Sequence, residues 1–210
     1  MPTQAWIGQI PRKNGGMSRA YTFLLMAGIS LTSLGHAQVI WDESVNGDLS
    51  GDRFAPNNFN LIPGNNIVIA SMGGADKEYV HFHLDPGVSL TQIMVQNYVS
   101  QDDVAFIGFQ AGSTFTEPPD SADPANLLGY CLWGTGDIGT DILSKMAATT
   151  GTIGFTPPLT GSDYTFWIQQ TGDPTDYQLN FVAVPEPGTM VAIGLGILAL
   201  KRRARRQPKA

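Results

Sequence analysis

Cysteine is almost absent from this chain. Cys131 is the only one in 210 residues, which excludes an intrachain disulfide framework and a cysteine-based zinc cluster. Its setting, Gly129-Tyr130-Cys131-Leu132-Trp133, predicts a small buried apolar residue. Charge is scarce too. Charged residues make up 14% of the chain, against about 25% in an average soluble domain. Basic residues are nearly missing from the middle. Between Gln38 and Val184 stand 17 acidic residues and three basic ones, Arg53, Lys77 and Lys145. Such a body repels nucleic acid and anionic lipid, so no nucleic-acid partner is expected. Several reaction motifs are lacking as well. The chain has no Gly-x-Ser-x-Gly elbow, no His-Glu-x-x-His and no phosphate-binding loop, and nothing in it implies a cofactor.

What is plentiful is glycine (24) and proline (14). With 42% hydrophobic residues the chain can build one real core. The remaining basic residues gather at the two ends, beside apolar runs, where they report on membrane topology.

From Met17 the front reads Met-Ser-Arg-Ala-Tyr, followed by the apolar stretch Thr22 to Leu31 and then Gly35-His36-Ala37. A basic start, about ten apolar residues and small residues at −3 and −1 form an export signal, cut by signal peptidase between Ala37 and Gln38. Residues 1–16 show no apolar periodicity, which favours Met17 as the true start. Residues 1–37 are therefore assigned to a signal-peptide helix outside the fold.

At the back, Val184-Pro185-Glu186-Pro187-Gly188-Thr189 precedes the apolar run Met190 to Leu200 and the basic cluster Lys201, Arg202, Arg203, Arg205 and Arg206. The two prolines favour an extended, exposed backbone suited to recognition. The apolar run would enter the bilayer as a transmembrane helix, with the basic cluster held on the cytoplasmic side. This order resembles the PEP-CTERM sorting signal of Gram-negative bacteria and covers residues 184–210. The resemblance implies processing by an exosortase near Pro185-Glu186-Pro187, passage through the inner membrane and delivery to the cell surface or outside. It also implies an association with exopolysaccharide and biofilm matrix. Met190 to Leu200 spans only about 17 Å as a helix against a hydrocarbon core of about 30 Å. That shortness suggests a temporary membrane hold.

Between the signals, residues 38–183 carry repeated short strand patterns. They fall at 66–70, 78–84, 90–98, 104–109, 127–133, 164–169 and 177–182, with turns such as Asp85-Pro86-Gly87 between them. A short helix is expected near Asp141 to Ala147. The pattern predicts a mainly β protein, a single jelly-roll-like β-sandwich. The stretch also resembles the bacterial pre-peptidase C-terminal domain. The likeness rests on Asp42-Glu43 and Gly47 to Asp52, Gly64-Asn65-Asn66, Glu78 to Gly87 with Leu90, Gly161 to Gln169, and Tyr177-Gln178-Leu179. That resemblance implies an accessory module without catalysis.

Three groups of side chains merit weighing for chemistry. His81 and His83 share one face of a strand. They could hold a metal, but two solvent-facing histidines are the simpler expectation. Asp42, Asp48 and Asp52 form a Gly-containing acidic stretch and are weak calcium candidates, without an EF-hand spacing. Trp133, Trp167, Tyr98 and Tyr130 could build an aromatic platform for sugars, or could fill the core. The sequence thus favours a non-catalytic exported protein. A polysaccharide-binding module is the alternative, and a secreted hydrolase with an unrecognised site comes behind it.

Overall fold

In the computed structural model, the described residues are 37–74 and 76–186, with Gly188 and Leu195 beyond them. Among the described residues, ten strands make two five-stranded sheets packed face to face. In chain order the strands are β1 (Ala37–Asp42), β2 (Asn57–Leu61), β3 (Gly64–Met72), β4 (Lys77–Leu84), β5 (Val88–Val99), β6 (Ala105–Ala111), β7 (Gly129–Trp133), β8 (Leu159–Thr160), β9 (Asp163–Gln169) and β10 (Thr175–Pro185). One sheet runs β1-β3-β10-β5-β8 and the other β2-β4-β9-β6-β7. The expected β-sandwich is the fold. The expected signal-peptide helix lies outside the described residues except for Ala37, which is the first residue of β1 and so belongs to the fold, and the expected transmembrane helix lies outside them except for Leu195. Among the described residues no helix is long and apolar enough to cross a membrane.

Period-two alternation builds the core. Val68, Ala70 and Met72 of β3 are buried, as are Leu179, Phe181 and Ala183 of β10, while the residues between them are more open. Across the interface Phe82 and Phe181 place their ring centroids 4.3 Å apart. Phe109 and Phe166 stack at 4.9 Å with planes 9° apart. Full burial of such rings contributes about 1.5–3 kcal/mol each. Cys131 joins this core at 4% exposure, and burial pushes its thiol pKa up to about 12. A thiol that stays protonated is inert.

Two short helices close the ends of strands. α1 (Glu43–Asn46) follows β1. α2 (Ile142–Ala147) lies where a helix was expected and buries Ile142, Leu143 and Met146. Asp141 caps α2 by accepting from the amides of Leu143 at 3.0 Å and Ser144 at 3.3 Å. The same carboxylate accepts from the Ile93 amide at 2.9 Å, which ties the helix to β5.

The chain enters and leaves the sandwich at one pole. Asn65 of β3 has Ala37 of β1 as its parallel partner on one side and Val182 of β10 as its antiparallel partner on the other. With strands about 4.8 Å apart, the entry and exit points lie roughly 10 Å from each other.

Candidate functional site

The sorting sequence begins inside the fold. Ala183 of β10 is a core residue, 1% exposed, with partners Gly64 on β3 and Leu90 on β5. Beyond Ala183 the β3 side ends, and Val184 and Pro185 pair with Ser89 and Val88 of β5 alone. The Glu186 amide then donates to the Gly87 carbonyl at 2.8 Å, and the Ser89 hydroxyl donates to the Glu186 carboxylate at 3.4 Å. Val184, Pro185 and Glu186 are half-buried. The backbone is extended through Pro185, as the prolines suggested. Its exposure is smaller than the sequence suggested, because β5 covers it from one side. A proline at this place costs little, since the β3 side has already ended and Pro185 forms part of a strand edge. Pro187 and the basic cluster Lys201, Arg202, Arg203, Arg205 and Arg206 lie outside the described residues. Ala37 and Gln38 start β1, where the Gln38 side-chain amide donates to the Asn66 side-chain oxygen at 2.9 Å.

Of the two histidines only His81 departs from the solvent-facing expectation, and His83 stays partly exposed. His81 is 7% exposed. Its Nδ1 lies 2.7 Å from the Asn58 side-chain oxygen, and its Nε2 lies 3.0 Å from Asp163. His83 reaches the same Asp163 oxygen at 2.7 Å through Nδ1, and Asp85 at 3.4 Å through Nε2. The i, i+2 spacing does align the two rings. What they share is a carboxylate from the neighbouring strand β9, which pairs Asp163 with His83. The hydrogen bond to Asp163, then the nearby carboxylates, hold the His83 pKa above its ordinary value. The hydrogen bond from His83, then that from His81, hold Asp163 below its own. The side-chain partners of the two rings are an amide and two carboxylates, with no hydroxyl or thiol among them. Among the described residues no group of three His, Cys, Asp or Glu side chains is placed to hold a metal.

Asp42, Asp48 and Asp52 are spent separately. Asp42 caps α1 through the Ser44 amide at 3.0 Å. Asp52 accepts from the Phe54 amide at 2.9 Å. Asp48 is exposed. The acid that organises this corner is Glu43, which accepts from the Leu49 amide at 3.0 Å and the Ser71 amide at 2.6 Å.

The four aromatic candidates divide between two places. Trp133 and Tyr98 pack edge-to-face in the core, 5.2 Å apart. Trp167 and Tyr130 sit on the outer face of the β2-β4-β9-β6-β7 sheet. There Phe106 bridges them, 4.6 Å from Trp167 and stacked 5.9 Å from Tyr130. Tyr79 and Phe115 complete the cluster. With the loop residues Pro119, Asp120, Ser121 and Pro124, the side chains of Phe106, Tyr130 and Trp167 line a cleft of about 280 Å³. The loop is held in place by Gln110. Its carbonyl oxygen accepts from the Thr116 amide at 2.7 Å, and its amide donates to the Asn126 carbonyl at 3.0 Å. Gly108 makes room for the Phe106 ring, because a Cβ there would come within 2.7 Å of it.

One group escaped the sequence reading. Glu78 is fully buried on the inner face and accepts a hydrogen bond from the Tyr177 hydroxyl. Burial, reinforced by the charges of Glu43, Asp76 and Asp48, raises its pKa well above 4.5. The signal was present in the alternation of β4. Glu78 shares parity with Val80, Phe82 and Leu84, so an inward carboxyl could have been inferred.

A family model described as the PEP-CTERM protein-sorting motif covers residues 183–206. No curated protein and no solved structure matches the chain. The chain therefore carries a PEP-CTERM sorting motif, and that motif marks an exported protein sorted by an exosortase.

Proposed function

We propose that this protein is a non-catalytic component of the cell surface or extracellular matrix of a Gram-negative bacterium, delivered through its sorting motif after signal-peptide removal at Ala37. The observation that carries this reading is the sorting motif attached directly to a self-contained β-sandwich. The histidines are compatible with this reading, since neither ring is hydrogen-bonded to a hydroxyl or thiol; their side-chain partners are Asn58, Asp163 and Asp85. Intact-mass measurement of the protein from the envelope and the medium tests it. The expected mature chain begins at Gln38 and lacks the segment after about Pro187. A mature pool ending at Ala210 overturns the sorting route, and hydrolytic activity in pure protein overturns the non-catalytic role.

The cleft over Phe106, Tyr130 and Trp167 favours a second reading, a binding site for an extracellular polysaccharide. Aromatic faces suit the apolar faces of sugar rings, and the rim supplies Asp120 and Ser121 for sugar hydroxyls. Its volume lies near the lower end of the roughly 300–1,000 Å³ usual for small-ligand pockets. The cleft also lies away from the exit pole. Trp167 pairs with Tyr79, five residues or about 17 Å along β4 from Leu84 at the pole. Retention of the protein on purified exopolysaccharide is expected, and Tyr130→Ala should abolish it. No retention of the wild type removes this reading.

A further inference from the structure

We propose that the β4–β5 turn and the start of β5, Gly87 to Ser89, form a docking strand for the sorting motif, so that the tail is processed only after Val184–Glu186 has peeled away. The inference rests on the sorting reading above and adds a control built into the fold.

No spacer separates the core from the motif. Ala183 is 1% exposed, and Pro185 follows two residues later. The motif's backbone is already engaged. Val184 and Pro185 pair with Ser89 and Val88, and the Glu186 amide is bound to the Gly87 carbonyl at 2.8 Å. An enzyme that reads an extended peptide does so through the same main-chain groups and the side chains beside them. A backbone amide can serve only one of these partners well at a time. Docked and enzyme-bound forms therefore exclude each other.

The clamp is also built to open. Ala183 is held from both sides, by Gly64 and Leu90, whereas Val184 and Pro185 are held by β5 alone. Peeling can stop at Ala183 without breaching the core. The Ser89 hydroxyl reaches the Glu186 carboxylate at 3.4 Å, so the one acidic residue of the motif is also engaged. The partner implied is the processing enzyme itself, competing with β5 for the same stretch. An unfolded or partly folded domain would present the motif free.

Two variants of the full chain, expressed with its exosortase, test this by pulse-chase measurement of tail loss. Inserting Gly-Ser-Gly-Ser between Ala183 and Val184 frees the motif. Losing one or two main-chain hydrogen bonds should speed processing about tenfold. The pair Ser89→Cys and Val184→Cys, register partners in the sheet, can be closed as a disulfide with diamide. Cys131 is buried and does not compete. The locked chain should keep its tail until dithiothreitol is added, while each single-cysteine variant is processed in either condition. An insertion that leaves the rate within about twofold, or a locked chain processed as fast as the single variants, overturns the proposal. A spacer acting only by distance from the membrane would speed the insertion variant and leave the locked pair unaffected. Failure of the wild type to lose its tail overturns the sorting reading instead, and the docking strand with it.

Discussion

The two faces of the β2-β4-β9-β6-β7 sheet are made from the same strands, yet they are different surfaces. Inward, β4 presents Glu78, Val80, Phe82 and Leu84 to the core. Outward, it presents Tyr79 to the aromatic cluster and His81 and His83 to Asp163. The inner face is closed by the second sheet. The outer face is divided, apolar toward β4's start and polar toward its end. The lesson is that alternation separates stability from recognition residue by residue. The inner set sets the fold, and the outer set builds a second, separate layer of aromatic packing and polar contacts.

The largest break in that comparison should come from Phe82→Ala. Phe82 contacts Phe181, Phe166 and Phe59, and its removal should cost about 3–5 kcal/mol in chemical denaturation. A loss no larger than that of an outer-face substitution would erase the distinction.

Glu78 is next. Truncation by Glu78→Ala leaves the Tyr177 hydroxyl buried and unpaired, at a cost of roughly 1–3 kcal/mol. Glu78→Gln keeps an acceptor and removes the titration. Because the folded pKa is raised above 4.5, the unfolded chain loses this proton first as pH rises. Glu78 therefore favours the fold most at and below about pH 4.5 and does so less at each step up to its folded value. Melting curves of Glu78→Gln should be flatter with pH across that range. An unchanged slope would count against a buried, protonated Glu78.

On the outer face, Gly108→Ala should push the Phe106 ring out of place, since the new Cβ falls within 2.7 Å of it. Polysaccharide retention should fall severalfold, with a stability loss of about 1 kcal/mol or less. Equal binding with a disturbed ring would separate the cleft from any sugar.

Asp163→Asn should have the smallest effect. His83 is raised, so its contribution is complete below about pH 6.5 and fades as pH rises through its folded value. Asp163 is lowered, so its contribution is complete above about 3.8 and fades as pH falls. The pair supports the fold between those limits, and solvent screening keeps that support small. The variant should flatten stability in that window only.

Much of the fold was legible because strand alternation is local. The strands at 64–72, 77–84, 88–99, 163–169 and 175–185 all announce themselves by β-branched and aromatic residues at period two. β2 does not, because Asn57-Asn58-Phe59-Asn60 has low strand propensity. It is a strand through its parallel pairing with β4. α1 is only four residues and is held by the Asp42 cap and the reach of Glu43 to Leu49 and Ser71. The aromatic candidates were visible as residue types, but their division between core and cleft was not. Tyr98 and Trp133 look like Tyr130 and Trp167 in composition, and what tells them apart is which face of its strand each one takes, as with Tyr130 and Trp133 on β7.

The sequence alone determined the sorting motif, the export route it marks and the β class, because each is written in contiguous residues whose chemistry acts locally. Tertiary structure decided three other things. It buried Glu78, joined His81 and His83 through Asp163, and docked Val184–Glu186 on β5. Each depends on strands far apart in the chain coming into register, and register is fixed only when both sheets close over one core.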